Sequence, residues 1–261
     1  MPSNARAAPQ PLPPETRTVG QLVAEAVRFY GQHFWRTLAL GVLPAAAGVA
    51  LAELPGVAQL PFALVVGAAA LSFSFARATA LVAAASPTRA TTARAVATGV
   101  LVLVPAATLL TFLGIVGVFP AVAWLAYVGL VVPVIVLEGR ALRDALRRAT
   151  QLARADFVHA MGSLAAVTIV ALLTAYVMFF LLRSAGEAAV RAAAFLSVLV
   201  ISPLLLVGAA LLYFDQAARV VGSGPRPRRR RDADVHPAVE SDRPGRADAE
   251  VKPRSAARGE P

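Results

Sequence analysis

Cysteine is absent from this chain of 261 residues, lysine occurs once, and charge of either sign is scarce. Without cysteine there is no disulfide and no thiolate metal site, and the redox compartment is left open. Charged residues are 15% of the chain and hydrophobic residues 57%, where a soluble domain carries roughly 25% charged. With a mean hydropathy of +0.65, most of this chain is excluded from a water-dissolved fold. Histidine is also sparse. His33, His159 and His236 form no HxxxH or HExxH pair and meet no carboxylates at ligand spacing, so no metal site and no cofactor is expected. The opening MPSNARAAPQPLPPETRTVG lacks an apolar core, so no secretory signal peptide is expected and insertion falls to internal helices.

What charge there is lies mostly on arginine. The formal net charge is +10, from 25 basic and 15 acidic residues, and every basic residue but Lys252 is arginine. Beside apolar spans, that balance implies an anionic membrane surface as partner rather than nucleic acid. The heavy use of Arg and Ala suggests a GC-rich bacterial genome.

Residues 131–157, VVPVIVLEGRALRDALRRATQLARADF, organise the chain. They hold the end of an apolar span, a turn at Glu138-Gly139 and an arginine-rich amphipathic helix. Leu142, Ala145, Leu146, Ala149, Leu152 and Ala153 recur at i, i+3, i+4, i+7 and form one stripe, with Arg143, Arg147, Arg148, Gln151 and Arg154 opposite. Such a helix between two spans is expected to lie flat in the headgroup layer. A second one is predicted from Thr18 to Phe34, with Val19, Leu22, Val23, Ala26, Phe29 and Tyr30 as its stripe and Thr18 as its cap. A shift of 123 positions superposes the two stripes, which reads either as internal duplication or as the generic likeness of amphipathic helices.

Apolar runs predict six membrane spans, near 37–54, 60–85, 95–112, 118–137, 158–182 and 192–214; the first is short for the ~20 residues that a bilayer core requires and the second is long enough to cross with tilt. Pro44 is expected to kink the first. The N-terminal arm, the loop at 86–94, the arginine-rich helix and the C-terminal tail are basic, while the loops at 53–59 and 113–117 lack Arg and Lys. The positive-inside rule then places both termini in the cytoplasm, although Arg183 and Arg191 weaken the pattern in one loop. A five-span solution would put the polybasic tail outside. Residues 1–17 and 222–261 are rich in proline and polar groups and are expected to be disordered, leaving 18–221 as the membrane domain.

Among candidate site residues, Arg143, Arg147, Arg148 and Arg154, with Arg228, Arg229, Arg230 and Arg231 in the tail, are expected to contact anionic headgroups. The tail arginines also read as a plain topology signal. Arg77 lies inside the second span, where a charge is costly. It is expected either to pair with Glu138 or Asp215, fastening helix ends together, or to snorkel alone. His33 and His159 sit where an amphipathic helix meets a span and read as interfacial histidines.

The ordered motifs TVGQLVAEAVRFYGQHFW, VPVIVLEGRALRDALRRATQLARADF and LLLVGAALLYFDQAARV resemble the membrane-domain family found fused to some bacterial glycerophosphoryl diester phosphodiesterases and also encoded alone. The likeness covers roughly residues 18–221. It implies a helical membrane domain more than an activity. The catalytic barrel of those enzymes, with its His-Arg-Gly start, has no counterpart here, because no histidine precedes Arg-Gly.

The sequence therefore predicts an all-α polytopic protein of a bacterial inner membrane, with about six transmembrane helices and two interfacial amphipathic helices. The expected role is non-enzymatic: a module that organises lipid or a protein partner at the cytoplasmic face. A small-solute or lipid transporter or channel, which needs a polar cavity between the spans, is the alternative. An accessory domain in glycerophosphodiester or lipid metabolism is a third reading, suggested by the family's fusions alone.

Overall fold

The computed structural model describes residues 17–183 and 186–222. The proposed disordered tail and all but the last residue of the proposed N-terminal arm lie outside these residues. Among the described residues there is no strand. Eleven α-helices follow one another: α1 (Val19–Gln32), α2 (Phe34–Ala39), α3 (Val42–Ala52), α4 (Gly56–Phe62), α5 (Ala68–Val82), α6 (Arg89–Leu113), α7 (Val118–Val128), α8 (Val131–Glu138), α9 (Leu142–Ala155), α10 (Phe157–Leu182) and α11 (Glu187–Gly222). A π-helical segment, Ala63–Gly67, joins α4 to α5. The chain is an all-α polytopic membrane protein.

Among the described residues, five helical stretches are long and apolar enough to cross a membrane, one of them Arg89–Glu138 with 50 residues. That stretch is not one rod. It reverses at Gly114, whose φ of +55° and ψ of −134° break the helix, and α7 and α8 return along α6. The Trp124 indole donates to the Val102 carbonyl at 2.9 Å, and Val132 of α8 lies beside Gly99 of α6. The stretch thus supplies two crossing segments, and the third and fourth of the six expected spans are this hairpin.

Prolines fall both at helix starts and, as with Pro61, Pro105 and Pro203, inside helices. The first span is expected to kink at Pro44. Instead it breaks at Leu40–Gly41 and begins again at Val42, so that Pro44 falls in the first turn of α3, where its missing N–H has no helical partner to lose. Pro120 in α7 and Pro133 in α8 hold the same kind of position. Pro61 is internal and is followed at once by the π-helical segment.

The core centres on α8. Leu130 to Val136 are all buried, as expected of a helix apolar on every side. It packs with Ala76 and Ala80 of α5, Ala95 and Val102 of α6 and Leu212 of α11. Toward the outside, Leu101, Phe112, Phe119, Leu173, Tyr176 and Phe180 are exposed. So large an apolar exterior belongs in lipid.

Both amphipathic helices form as expected. Thr18 caps α1 in a capping box with Gln21. Their boundaries match at the 123-residue shift, with Leu22 and Ala26 buried in α1 and Ala145 and Ala149 buried in α9. These stripes pack on protein rather than entering lipid: Leu22, Ala145, Ala149 and Leu152 all join the core around α8. Their polar faces, with Val27 of α1 and Leu142 of α9, are left exposed.

Close helix contact elsewhere depends on missing side chains. A Cβ on Gly41 would lie 2.0 Å from the Leu199 carbonyl oxygen of α11, whereas one on Gly20 would meet nothing. Gly41→Ala is therefore expected to push α3 off α11 at a cost of about 1–3 kcal/mol, and Gly20→Ala to be neutral or slightly stabilising. Thermal unfolding of the two variants in one detergent checks the contrast.

Candidate functional site

Most charged groups of the described residues gather at one end of the bundle, where α8, α10 and α11 meet α9 and α1. Two carboxylates anchor this layer. Glu138 closes α8, and Gly139, in the left-handed conformation at φ +66°, turns the chain toward α9. A side chain other than Asn or Gly is strained there. Glu138 accepts hydrogen bonds from Arg140 Nε, from Arg148 Nε of α9 at 3.4 Å and from the Tyr213 hydroxyl of α11 at 2.9 Å. One carboxylate thus ties three helices.

Asp215 is the second, and it is fully buried. Its Oδ2 accepts from Arg219 Nε, one helical turn on, at 3.1 Å and lies 2.8 Å from His159 Nε2. At that distance the imidazole is a second polar neighbour of the Asp215 carboxylate. Arg219 also stands 3.2 Å from the same Nε2, but its outer nitrogens have better acceptors: Asp156 Oδ2 at 3.0 Å and the Arg17 carbonyl at 2.9 Å. Asp156 is in turn the N-cap of α10, accepting from the His159 backbone N–H at 3.0 Å. The Gln216 amide donates to the Asp156 carbonyl at 3.3 Å. Arg219 therefore joins the end of α11, the start of α10 and the entry to α1. Asp215 Oδ1 and Gln216 Oε1 are buried with no partner among the described residues. On α1, outside the spans, the Tyr30 hydroxyl is likewise buried alone, and burial pushes its pKa above the usual tyrosine range.

The expected pairing of Arg77 is not formed. Arg77 is exposed on α5 and makes no ion pair or hydrogen bond among the described residues. Glu138 and Asp215 do fasten helix ends, but the closer arginines Arg140, Arg148 and Arg219 occupy them. The headgroup set divides as well. Arg148 is half-buried on Glu138, and Arg154 donates to the Tyr127 hydroxyl of α7 at 3.0 Å. Arg143 and Arg147 are exposed without side-chain partners among the described residues. Arg28, Arg36, Arg89 and Arg94, near the same end, form no ion pair there either. Arg228, Arg229, Arg230 and Arg231 lie outside the described residues.

His159 and Asp156 were not linked by sequence reasoning. The signals were present: Asp156-x-x-His159 is an N-cap spacing, and Asp215 and Arg219 are four apart on one helix. At the opposite end the charges are few. Arg191 pairs with Glu53 at 3.1 Å, and Arg183 covers the Phe180 ring at 4.0 Å, which accounts for two arginines on the side expected to lack them.

Between the spans, in the half toward the Leu54 and Gly114 turns, lies a cavity of about 510 Å³. A neighbour of about 200 Å³ reaches toward Leu130 and Leu212. Both are lined by Ala, Gly, Val, Leu, Phe and Pro with one exception, Thr168, whose hydroxyl donates to the Leu164 carbonyl at 2.7 Å. No free polar side chain faces either space.

Removing Arg219 leaves the buried Asp215 carboxylate with His159 as its remaining partner. Arg219→Met is expected to destabilise the full chain by about 3–5 kcal/mol. The double variant Asp215→Asn/Arg219→Met is expected to recover part of that loss. Unfolding of the two variants in mild detergent measures the difference.

No family model, curated protein or solved structure matches this chain.

Proposed function

We propose that this protein is a non-enzymatic membrane module that gathers anionic lipid, or a protein partner, at the cytoplasmic face of a bacterial inner membrane. The observation that carries the reading is the division of arginines at the polar end. Arg148, Arg154 and Arg219 are engaged in holding helices together. Arg143 and Arg147 stand free on the outer face of α9, which is itself locked to the bundle by its buried stripe. Free guanidinium groups on a fixed platform beside a bilayer attract anionic headgroups, each worth on the order of 1 kcal/mol.

The concentration of unpaired arginine at one end supports a cytoplasmic position for that end and for both termini. The polybasic run at 228–231 carries charge of the same sign. A transporter of small polar solutes needs polar groups along its path, and the two inter-helix cavities have none free. An accessory role in glycerophosphodiester or lipid metabolism rests on the family resemblance alone.

The test is copurification from native membranes with mass spectrometry of lipids and proteins. Enrichment of anionic lipid over the bulk membrane is expected, and Arg143→Ala/Arg147→Ala is expected to reduce it up to roughly 30-fold, as two charges of about 1 kcal/mol imply. The double variant should fold normally, because neither side chain has a partner to lose. An unchanged lipid profile, with no protein partner released by the substitutions, would count against the module reading.

A further inference from the structure

The two apolar cavities are independent of the arginine platform and of the reading built on it. The larger is walled by Pro44, Ala47, Gly48 and Leu51 of α3, one helical stripe at i, i+3, i+4 and i+7 in which two residues have little or no side chain. The π-helical segment and its flanks form a second wall through Phe62, Ala63 and Gly67. Such segments occur frequently at functional sites. The smaller cavity shares Leu71, Leu103, Val122, Leu125, Thr168 and Leu205 with the larger, so the pair forms one elongated apolar space running toward the core.

The contents are constrained by chemistry. Water needs two or more polar partners to occupy a buried site, and the single lining hydroxyl, on Thr168, is already committed to its own helix. A polar solute fails for the same reason. The volume lies within the usual range of ligand pockets. Gly48, Leu110, Leu172 and Val198 on its margin are exposed, and all four belong to crossing segments, so the space opens sideways to lipid. Leu51, Leu110 and Val118 place that opening near the turns opposite the arginine-rich end.

We propose that this space is a binding site for one acyl chain of a phospholipid, entering laterally from the leaflet opposite the arginine platform. The headgroup stays at the interface near the Leu54 and Gly114 turns. The chain lies between α3, α6 and α7 and fills the volume that their small side chains leave open.

The test uses the full chain in liposomes of phosphatidylethanolamine and phosphatidylglycerol containing phosphatidylglycerol with one diazirine-bearing palmitoyl chain. After irradiation, adducts are mapped by mass spectrometry. Adducts are expected on Leu51, Phe62, Leu71 and Leu103, in addition to outward-facing Leu173, Tyr176 and Val177. Ala107→Phe fills the space and is expected to abolish the first group while leaving the second unchanged. Gly48→Leu, a smaller filling at the margin, serves if Ala107→Phe unfolds. Adducts confined to the outward-facing residues, interior adducts insensitive to both fillings, or a dimer whose second copy covers the opening would each overturn the proposal. Arg143→Ala/Arg147→Ala should leave the interior adducts intact, so this test and that of the headgroup reading can fail separately.

Discussion

A carboxylate withdrawn from water at the edge of a bilayer is tolerable only where donors and cations surround it, and two such carboxylates define the polar end of this bundle. Glu138 draws together α8, α9 and α11. Asp215, with Arg219 and His159, draws together α11, α10 and the entry to α1. The partners come from several helices and turns, so the amphipathic helices cannot be placed freely. Arg148 fastens α9 to Glu138, Arg219 reaches the Arg17 carbonyl at the entry to α1, and the Ala and Leu stripes of both helices close over the core.

That geometry sorts the arginines by role. Those within reach of a buried acid or a tyrosine hydroxyl become structural. Those on the outer faces of α1 and α9 remain available to whatever anionic surface lies beside them. The difference follows from rotation about the helix axis. Arg147 and Arg148 are neighbours in sequence, but about 100° separates successive side chains on a helix, so one faces outward and the other faces Glu138.

The two halves of the bundle differ in packing. Around α8, large branched side chains fill the interior. In the other half, facing stripes rich in Ala and Gly are held apart by the neighbouring helices and leave apolar space. In water such space would collapse or exclude the chain from folding. In a bilayer, surrounding hydrocarbon can enter it without losing any hydrogen bond, which makes a loosely filled half compatible with a stable fold.

Much of this architecture was legible in the sequence because it depends on local periodicity. The 3.6-residue stripes of α1 and α9, the Thr18 cap, the apolar spans and the reversal near Gly114 are properties of short segments, and each formed close to where it was expected. The partnership of charges was not legible. Arg77 looked like the natural mate for Glu138 or Asp215 because it was the charge lying deepest in a span, yet Arg148 and Arg219 reach those acids first. Likewise, nothing local showed that the α9 stripe would be taken up by protein rather than lipid, or that an apolar cavity would remain between α3 and α7. By itself, the sequence determined which segments are helical, which enter the membrane and which face of each is polar, since these follow from the order of residues along one helix. Only the tertiary structure decided which acid meets which base and where volume is left unfilled, since both depend on distances between helices far apart in the chain.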